Sequence, residues 1–234
     1  MADIKLLVTK ASGEKETFLV EKLRNSLESA GARPGVIDEI VKDVLRWAHD
    51  GMSTKQIYDR AFAILRKRRA GPALKYKLKH AIMELGPTGY PFEHFVGMIY
   101  RKQGYSVEVG KIIEGHCVSH EMDVIATNEY EQVLVECKYG QDQGKHVSVQ
   151  VPLYVRSRVD DIIRKRGKYP DLQKISFQGS IYTNTRFTSD SIQYGKCSGL
   201  KLVGWDYPNG RGLKELIDKL SVYPITILNQ ISGK

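Results

Sequence analysis

The chain has 234 residues, 41% of them hydrophobic and 27% charged, with 36 lysines and arginines against 27 acids and a formal net charge of +9. Such a composition excludes a disordered or fibrous protein and leaves room for one large or two compact domains. No stretch reaches the roughly 18 to 20 apolar residues that a membrane-spanning helix needs, and the excess of positive charge favours polyanionic partners, nucleic acid first.

Ile4 to Thr9 is a short apolar run and Lys10 to Lys15 is polar around Gly13, which predicts a strand and a turn. Phe18, Leu19, Leu23, Leu27 and Ala30 recur at helical spacing before Gly31, a suitable C-terminal stop. Val36, Ile37, Ile40, Val41, Val44, Leu45 and Ala48 repeat the pattern. Ser53-Thr54-Lys55-Gln56 has the form of a capping box, in which the hydroxyl accepts from an orphan N–H while the glutamine reaches back. It opens a helix with Ile57, Ala61, Ile64 and Leu65 on its buried face. After the basic run Arg66-Lys67-Arg68-Arg69, the positions of Leu74, Leu78, Ile82 and Leu85 predict another helix that ends at Gly86-Pro87.

Two glycines and a proline in 86–89 interrupt both flanking patterns, so the domain boundary is placed there, giving domains 1–86 and 87–234. Beyond it the order is helix 92–104, strands 106–109, 120–127 and 132–137, helix 146–165, strand 175–183, helix 189–198, strand 200–205 and helix 213–220. The expected fold class is α/β, with a mostly helical first part. The N-terminal residues show no charged region followed by an apolar one, from which no secretory signal and a cytoplasmic location are expected. Cys117, Cys137 and Cys197 are odd in number and form no CxxC pair, which speaks against a disulfide framework or zinc ribbon.

The segment His120-Glu-Met-Asp-Val-Ile-Ala126, followed by Gln132-Val-Leu-Val-Glu-Cys-Lys138, carries the chemistry. Side chains alternate faces along a strand, so Glu136 and Lys138 point one way and Cys137 the other. Pairing of the two strands through the Asn128–Glu131 turn brings Asp123 to them amid Val124, Ile125, Val133, Leu134 and Val135. Carboxylates and a lysine embedded in buried strands are costly unless paired or bound to a cation. Metal-assisted phosphodiester cleavage would account for them: Asp123 and Glu136 can hold Mg²⁺, and Lys138 can orient the nucleophile or neutralise developing charge. An exposed hairpin ion pair is the bland alternative. His116, Cys117 and His120 lack a fourth ligand at convincing spacing for zinc.

Asp123, with Glu136-x-Lys138 starting thirteen positions on, resembles the PD-(D/E)xK nuclease motif, and its surroundings resemble Mrr-type restriction endonucleases over roughly residues 88–220. Supporting residues are Phe92-Glu93, Gly104-Tyr105, the His120-Glu-x-Asp123 entry, Gln150, Tyr182 to Thr188 and Gly199 to Val203. Met122 stands where the motif's name has proline. The resemblance implies a restriction-endonuclease-like α/β domain on a central mixed sheet. It also implies site roles for Glu93 and Gln150, and the Cys137 backbone carbonyl as a metal ligand beside Asp123 and Glu136, with Mg²⁺ or Mn²⁺ as cofactor.

Val8 to Gly13, then Glu16, Phe18 and Lys22-Leu23, with Met52 to Ile57 and Ala73 to Tyr76, resemble the ATP-cone, a nucleotide-binding regulatory module. Lysines beside a turn glycine can hold phosphates, and Thr54 at a helix N-terminus adds a hydroxyl. The resemblance implies a mostly helical cone opened by a β-hairpin, binding ATP or dATP through Val8, Lys10, Glu16, Lys22 and Thr54. Ala11 departs from the family's usual arginine.

The expectation for the whole chain is therefore a metal-dependent endonuclease acting on DNA and regulated by nucleotide, with self-association left open. Arg66–Arg69 and the later Arg156, Arg158, Arg164, Lys165, Arg166 and Lys168 are candidates for DNA backbone contacts. The alternatives are a non-cleaving, nucleotide-responsive DNA-binding regulator and a nuclease specific for branched DNA or RNA.

Overall fold

Gly13, at φ +84°, turns the chain between β1 (Leu7–Thr9) and β2 (Lys15–Thr17), a conformation in which glycine carries no Cβ penalty. The computed structural model describes residues 6–10, 13–68, 70–142, 144–172 and 174–230. It divides the chain into two compact units, one of residues 6–81 with 225–230 and one of residues 82–224. The units part between Ala81 and Ile82, five residues before the boundary expected at Gly86–Pro87, and the last described residues join the first unit, where the Thr226 hydroxyl donates to the Ala81 carbonyl at 2.6 Å.

In the first unit β1 and β2 are antiparallel, with Val8 opposite Glu16. Four helices follow: α1 (Val20–Ser29), α2 (Pro34–Trp47), α3 (Thr54–Arg68) and α4 (Ala70–Met83). Pro34 stands at the first turn of α2, where its missing N–H costs nothing, and Ile37, Ile40, Val41 and Val44 form one buried stripe. They pack with Val8, Leu23, Leu27, Ile57, Ala61 and Leu65 into one core. The capping box is present: Gln56 N–H donates to Ser53 Oγ at 3.2 Å, and Ser53 N–H donates to Gln56 Oε1 at 2.9 Å.

The second unit opens with α5 (Tyr90–Lys102), then β3 (Ser106–Glu114), β4 (Ser119–Thr127), β5 (Glu131–Lys138) and β6 (His146–Val147). It continues with α6 (Gln150–Arg166), β7 (Ser176–Thr183), β8 (Arg186–Phe187), α7 (Ser189–Cys197), β9 (Lys201–Val203) and α8 (Leu213–Leu220). The central sheet has the order β3-β4-β5-β7-β9, antiparallel through β5 and parallel beyond it, so the α/β class with a mixed sheet holds. Leu134 of β5 packs with Ile125, Ile181, Val155, Val159 and Ile162 under α6, while its neighbours Val133 and Val135 are equally buried; a strand covered on both faces accounts for the unbroken apolar run.

Two expectations are corrected. The helix expected from His146 begins at Gln150, because His146–Val147 pairs in parallel with Arg186–Phe187 and the Val147 carbonyl accepts from Ser191 Oγ at 2.7 Å. The first strand of the sheet does not stop at Val109; it runs on to Glu114, since Lys111–Glu114 pair with Ser119–Met122. Among the described residues no helix is long and apolar enough to cross a membrane.

Candidate active site

The β4–β5 ladder pairs Val124 with Val135 and ends there, so Asp123 and Glu136 are the next residues at its open end. Asp123 accepts the Cys137 N–H at 2.6 Å, a bond that fixes its carboxylate against β5. Glu136 is 4% exposed. Its Oε1 accepts from Lys138 Nζ at 2.6 Å and from the Tyr154 hydroxyl at 2.8 Å, and its Oε2 from Arg158 Nη1 at 2.9 Å. The other arm of the Arg158 guanidinium donates to the Glu121 carbonyl. Beyond Lys138 the chain is clamped, with Gly140 N–H donating to Asn184 Oδ1 and Asn184 Nδ2 to Gly140 O, both at 2.8 Å.

Charge in this cluster is unbalanced. Burial, then the neighbouring Glu136 and Glu93 carboxylates, push Asp123 up to about 7, against the pull of the Cys137 N–H and Lys138. Glu93, in the first turn of α5, is raised by burial and then by Glu121, with Glu136 adding to it. Lys138 is raised above its ordinary value: burial opposes the charged form, and the hydrogen bonds to Glu136 and Tyr154 overcome it. Cys137 is 8% exposed and its thiol is pushed well up by burial, so it is no nucleophile.

The structure therefore brings Asp123, Glu136, Lys138 and Glu93 into one electrostatic group. Gln150 stands apart: it is the exposed first residue of α6. Tyr154 and Arg158 follow it at intervals of four on the same helix face and reach Glu136. Sequence reasoning had Arg158 as a DNA contact and passed over Tyr154; helical spacing from Gln150 was the available signal. The donors suit a hard cation, with two carboxylates at one strand end and excess negative charge around Asp123. Among the described residues, however, no three His, Cys, Asp or Glu side chains form a ready metal cluster.

One step along α6 lies a cleft of about 560 Å³ lined by His120, Tyr154, Ser157, Arg158, Asp161 and Arg164 among others. Asp161 builds its wall by accepting from Cys117 N–H at 2.9 Å and Val118 N–H at 3.3 Å and pairing with His120 Nε2 at 2.8 Å. These bonds, His120 foremost, hold the Asp161 carboxyl well below the usual carboxylate range. Gly115 makes the close approach possible, since a Cβ there would collide with the Asp161 carboxylate. Thus His120, weighed above as a zinc ligand, is a partner of Asp161. Part of the basic run is likewise compensated inside the protein, Arg156 by Asp160 and Lys165 by Glu114, while Arg166 donates to the neutral Gln132 amide oxygen. In the first unit Arg68 pairs with Glu39, and Arg69 lies outside the described residues.

The residues expected to meet nucleotide gather at the hairpin. Glu16 lies 3.0 Å from Lys10 and 3.3 Å from Lys22, and the Thr9–Ser53 bridge places Thr54, at the start of α3, beside the end of β1. Val8 is 1% exposed and packs in the core, which leaves only its backbone to a ligand. Ala11 lies outside the described residues.

No protein-family model matches the chain. An uncharacterised protein of Archaeoglobus fulgidus is 31% identical over 131 residues, which cover 56% of this chain and 69% of that protein. The crystal structure of AF1548, a protein of unknown function, superposes with a TM-score of 0.52 at 29% identity over 60% of this chain and 71% of its own. The MspJI restriction endonuclease in complex with a 27-mer oligonucleotide superposes with a TM-score of 0.43 at 12% identity, over 86% of this chain and 44% of its own.

Proposed function

We propose that this chain, which belongs to the family of the uncharacterised Archaeoglobus fulgidus protein, is a metal-dependent nuclease of the PD-(D/E)xK type, related to the Mrr endonucleases and acting on DNA. The observation that carries the reading is the buried group at the open end of the β4–β5 ladder: Asp123 pushed up to about 7 by burial and then by its carboxylate neighbours, beside Glu136 and Lys138. Buried acids are expensive, and a strand end that concentrates them while leaving their charge unbalanced is organised for a cation.

Asp123, Glu136 and the Cys137 carbonyl would hold Mg²⁺ or Mn²⁺, which supplies a polarised scissile phosphate and a water of lowered pKa. Lys138, fixed by Glu136 and by the clamped chain beyond it, neutralises charge on the phosphate or orients the attacking water. Tyr154 keeps the Glu136 carboxylate turned toward α6, and Glu93 adds a negative charge on the α5 side. Gln150, exposed one turn before Tyr154, would meet the nucleic acid.

For the first unit we propose a regulatory nucleotide site for ATP or dATP, in which Lys10 and Lys22 exchange Glu16 for phosphate oxygens and Thr54 offers its hydroxyl. The non-cleaving alternative, a nucleotide-responsive DNA-binding regulator, is favoured by one observation: both Glu136 oxygens are already engaged by Lys138, Tyr154 and Arg158. Incubation of the full chain with plasmid, linear, branched DNA and RNA, with Mg²⁺ or EDTA and with or without ATP, separates the readings. Metal-dependent cleavage that Asp123→Ala removes supports the nuclease; DNA binding without cleavage under every condition refutes it.

A further inference from the structure

Of the three donors on Glu136, two have evident reasons to stay. Lys138 belongs to the same strand and points the same way, and the Tyr154 hydroxyl is neutral. Arg158 comes from another element. It takes Glu136 Oε2 at 2.9 Å, grips the Glu121 carbonyl with its other arm, and also lines the 560 Å³ cleft along α6. The two acids of that cleft are already compensated, Asp160 by Arg156 and Asp161 by His120 and two backbone N–H groups. Arg158 and Arg164 are thus left as the cations of this wall. A guanidinium fork fits a phosphate as well as it fits a carboxylate, so the same side chain has two matched anions within its reach, one a protein carboxylate and one supplied by a nucleic acid strand laid in the cleft.

We infer that Arg158 is an exchangeable counter-ion: without nucleic acid it occupies Glu136 Oε2 and keeps that oxygen from a metal ion, and on strand binding it transfers to a backbone phosphate in the α6 cleft and releases the oxygen. The inference rests on the nuclease reading and assigns the cleft to the phosphodiester backbone flanking the scissile bond. It makes metal and nucleic acid mutually dependent ligands, because Arg158 holds Glu136 only when no phosphate holds Arg158, and such linkage is reciprocal.

The test is calorimetric titration of Ca²⁺, a hard cation that takes oxygen ligands, into the full chain with and without a short DNA duplex. For the wild type, duplex should tighten Ca²⁺ binding by about tenfold, within the usual range of coupling between sites. Arg158→Gln should bind Ca²⁺ tightly without DNA and lose most of the dependence on duplex. Arg158→Lys, which keeps the charge but cannot span Glu136 and Glu121 at once, should fall between them and guards against misfolding of the glutamine variant. Arg156→Gln, which removes an equal charge already paired with Asp160, should behave as the wild type. Ca²⁺ affinity unaltered or weakened in both Arg158 variants, with the wild type binding Ca²⁺, overturns the exchange and leaves the nuclease reading standing. Failure of the wild type to bind Ca²⁺ with duplex present overturns both.

Discussion

The hairpin of the first unit and the open end of the β4–β5 ladder use the same residue types in opposite surroundings. At the hairpin, Lys10, Lys22 and Glu16 have side chains 39%, 62% and 29% exposed, and with Glu14, which also pairs with Lys10, two cations meet two anions in water. At the ladder, the Glu136 side chain is 5% exposed between Lys138 and Arg158, while Asp123 receives a backbone N–H and, among the described residues, no ion pair. Exposed pairs are screened by salt and contribute little, whereas buried charges must be matched closely or they move their own titration. Asp123 at about 7 is the mark of that mismatch. The difference teaches that residue identity proposes a site and burial decides whether the charges there are structural or held ready for a ligand.

Substitutions at the ladder should break this comparison most visibly. Asp123→Ala and Lys138→Ala should each lower cleavage by about 10²-fold or more, the usual scale for losing a group that stabilises a developing charge, with DNA affinity nearly unchanged. Single-turnover cleavage and a filter-binding isotherm measured side by side check both halves of the statement. Next in size, Glu136→Ala leaves Lys138 and Arg158 facing each other without their shared carboxylate and should destabilise the second unit by about 3 kcal/mol, read from urea unfolding at fixed pH.

A smaller effect concerns pH. The Asp123 carboxyl is raised to about 7 from an ordinary value of 3.8, so between those values the folded state holds a proton that the unfolded chain has lost. Stability attributable to this group is therefore present below pH 4 and is lost as pH rises through 7. In EDTA the slope should be about 1 kcal/mol per pH unit, and Asp123→Asn should flatten it. A wild-type curve that rises steadily from pH 5 to 8 and is unchanged in the asparagine variant would contradict the shift. Smallest of all, Lys10→Ala should leave the thermal midpoint where it is while weakening ATP binding in calorimetry; equal ATP affinity in the two proteins would remove the proposed nucleotide site.

Much of this arrangement was legible in the chain because β4 and β5 carry the apolar runs Val124–Ala126 and Val133–Val135 beside the acids, and parity alone placed Glu136 and Lys138 on one face and Cys137 on the other. Strands buried on both faces write that signal strongly. The partners from α6 were not legible. Tyr154, Arg158 and Asp161 reach β4 and β5 only after the helix is laid over the sheet, and an arginine in a basic run looks like any other solvated cation until a buried carboxylate is found beneath it. Two-residue β6 was also hidden, since its identity lies in the pairing with Arg186–Phe187 and not in any local pattern. The position of Ile225–Gln230 with the first unit has the same character: it depends on contacts far apart along the chain.

The central claim, that the unbalanced acids at the β4–β5 end hold a metal for phosphodiester cleavage, is tested most directly by one comparison on a labelled DNA duplex. Wild type and Asp123→Ala are incubated with Mn²⁺ or with EDTA, and the products are resolved by length. The account predicts cut strands for the wild type in Mn²⁺ alone. Cutting that persists in EDTA, or equal cutting by the alanine variant, would contradict it.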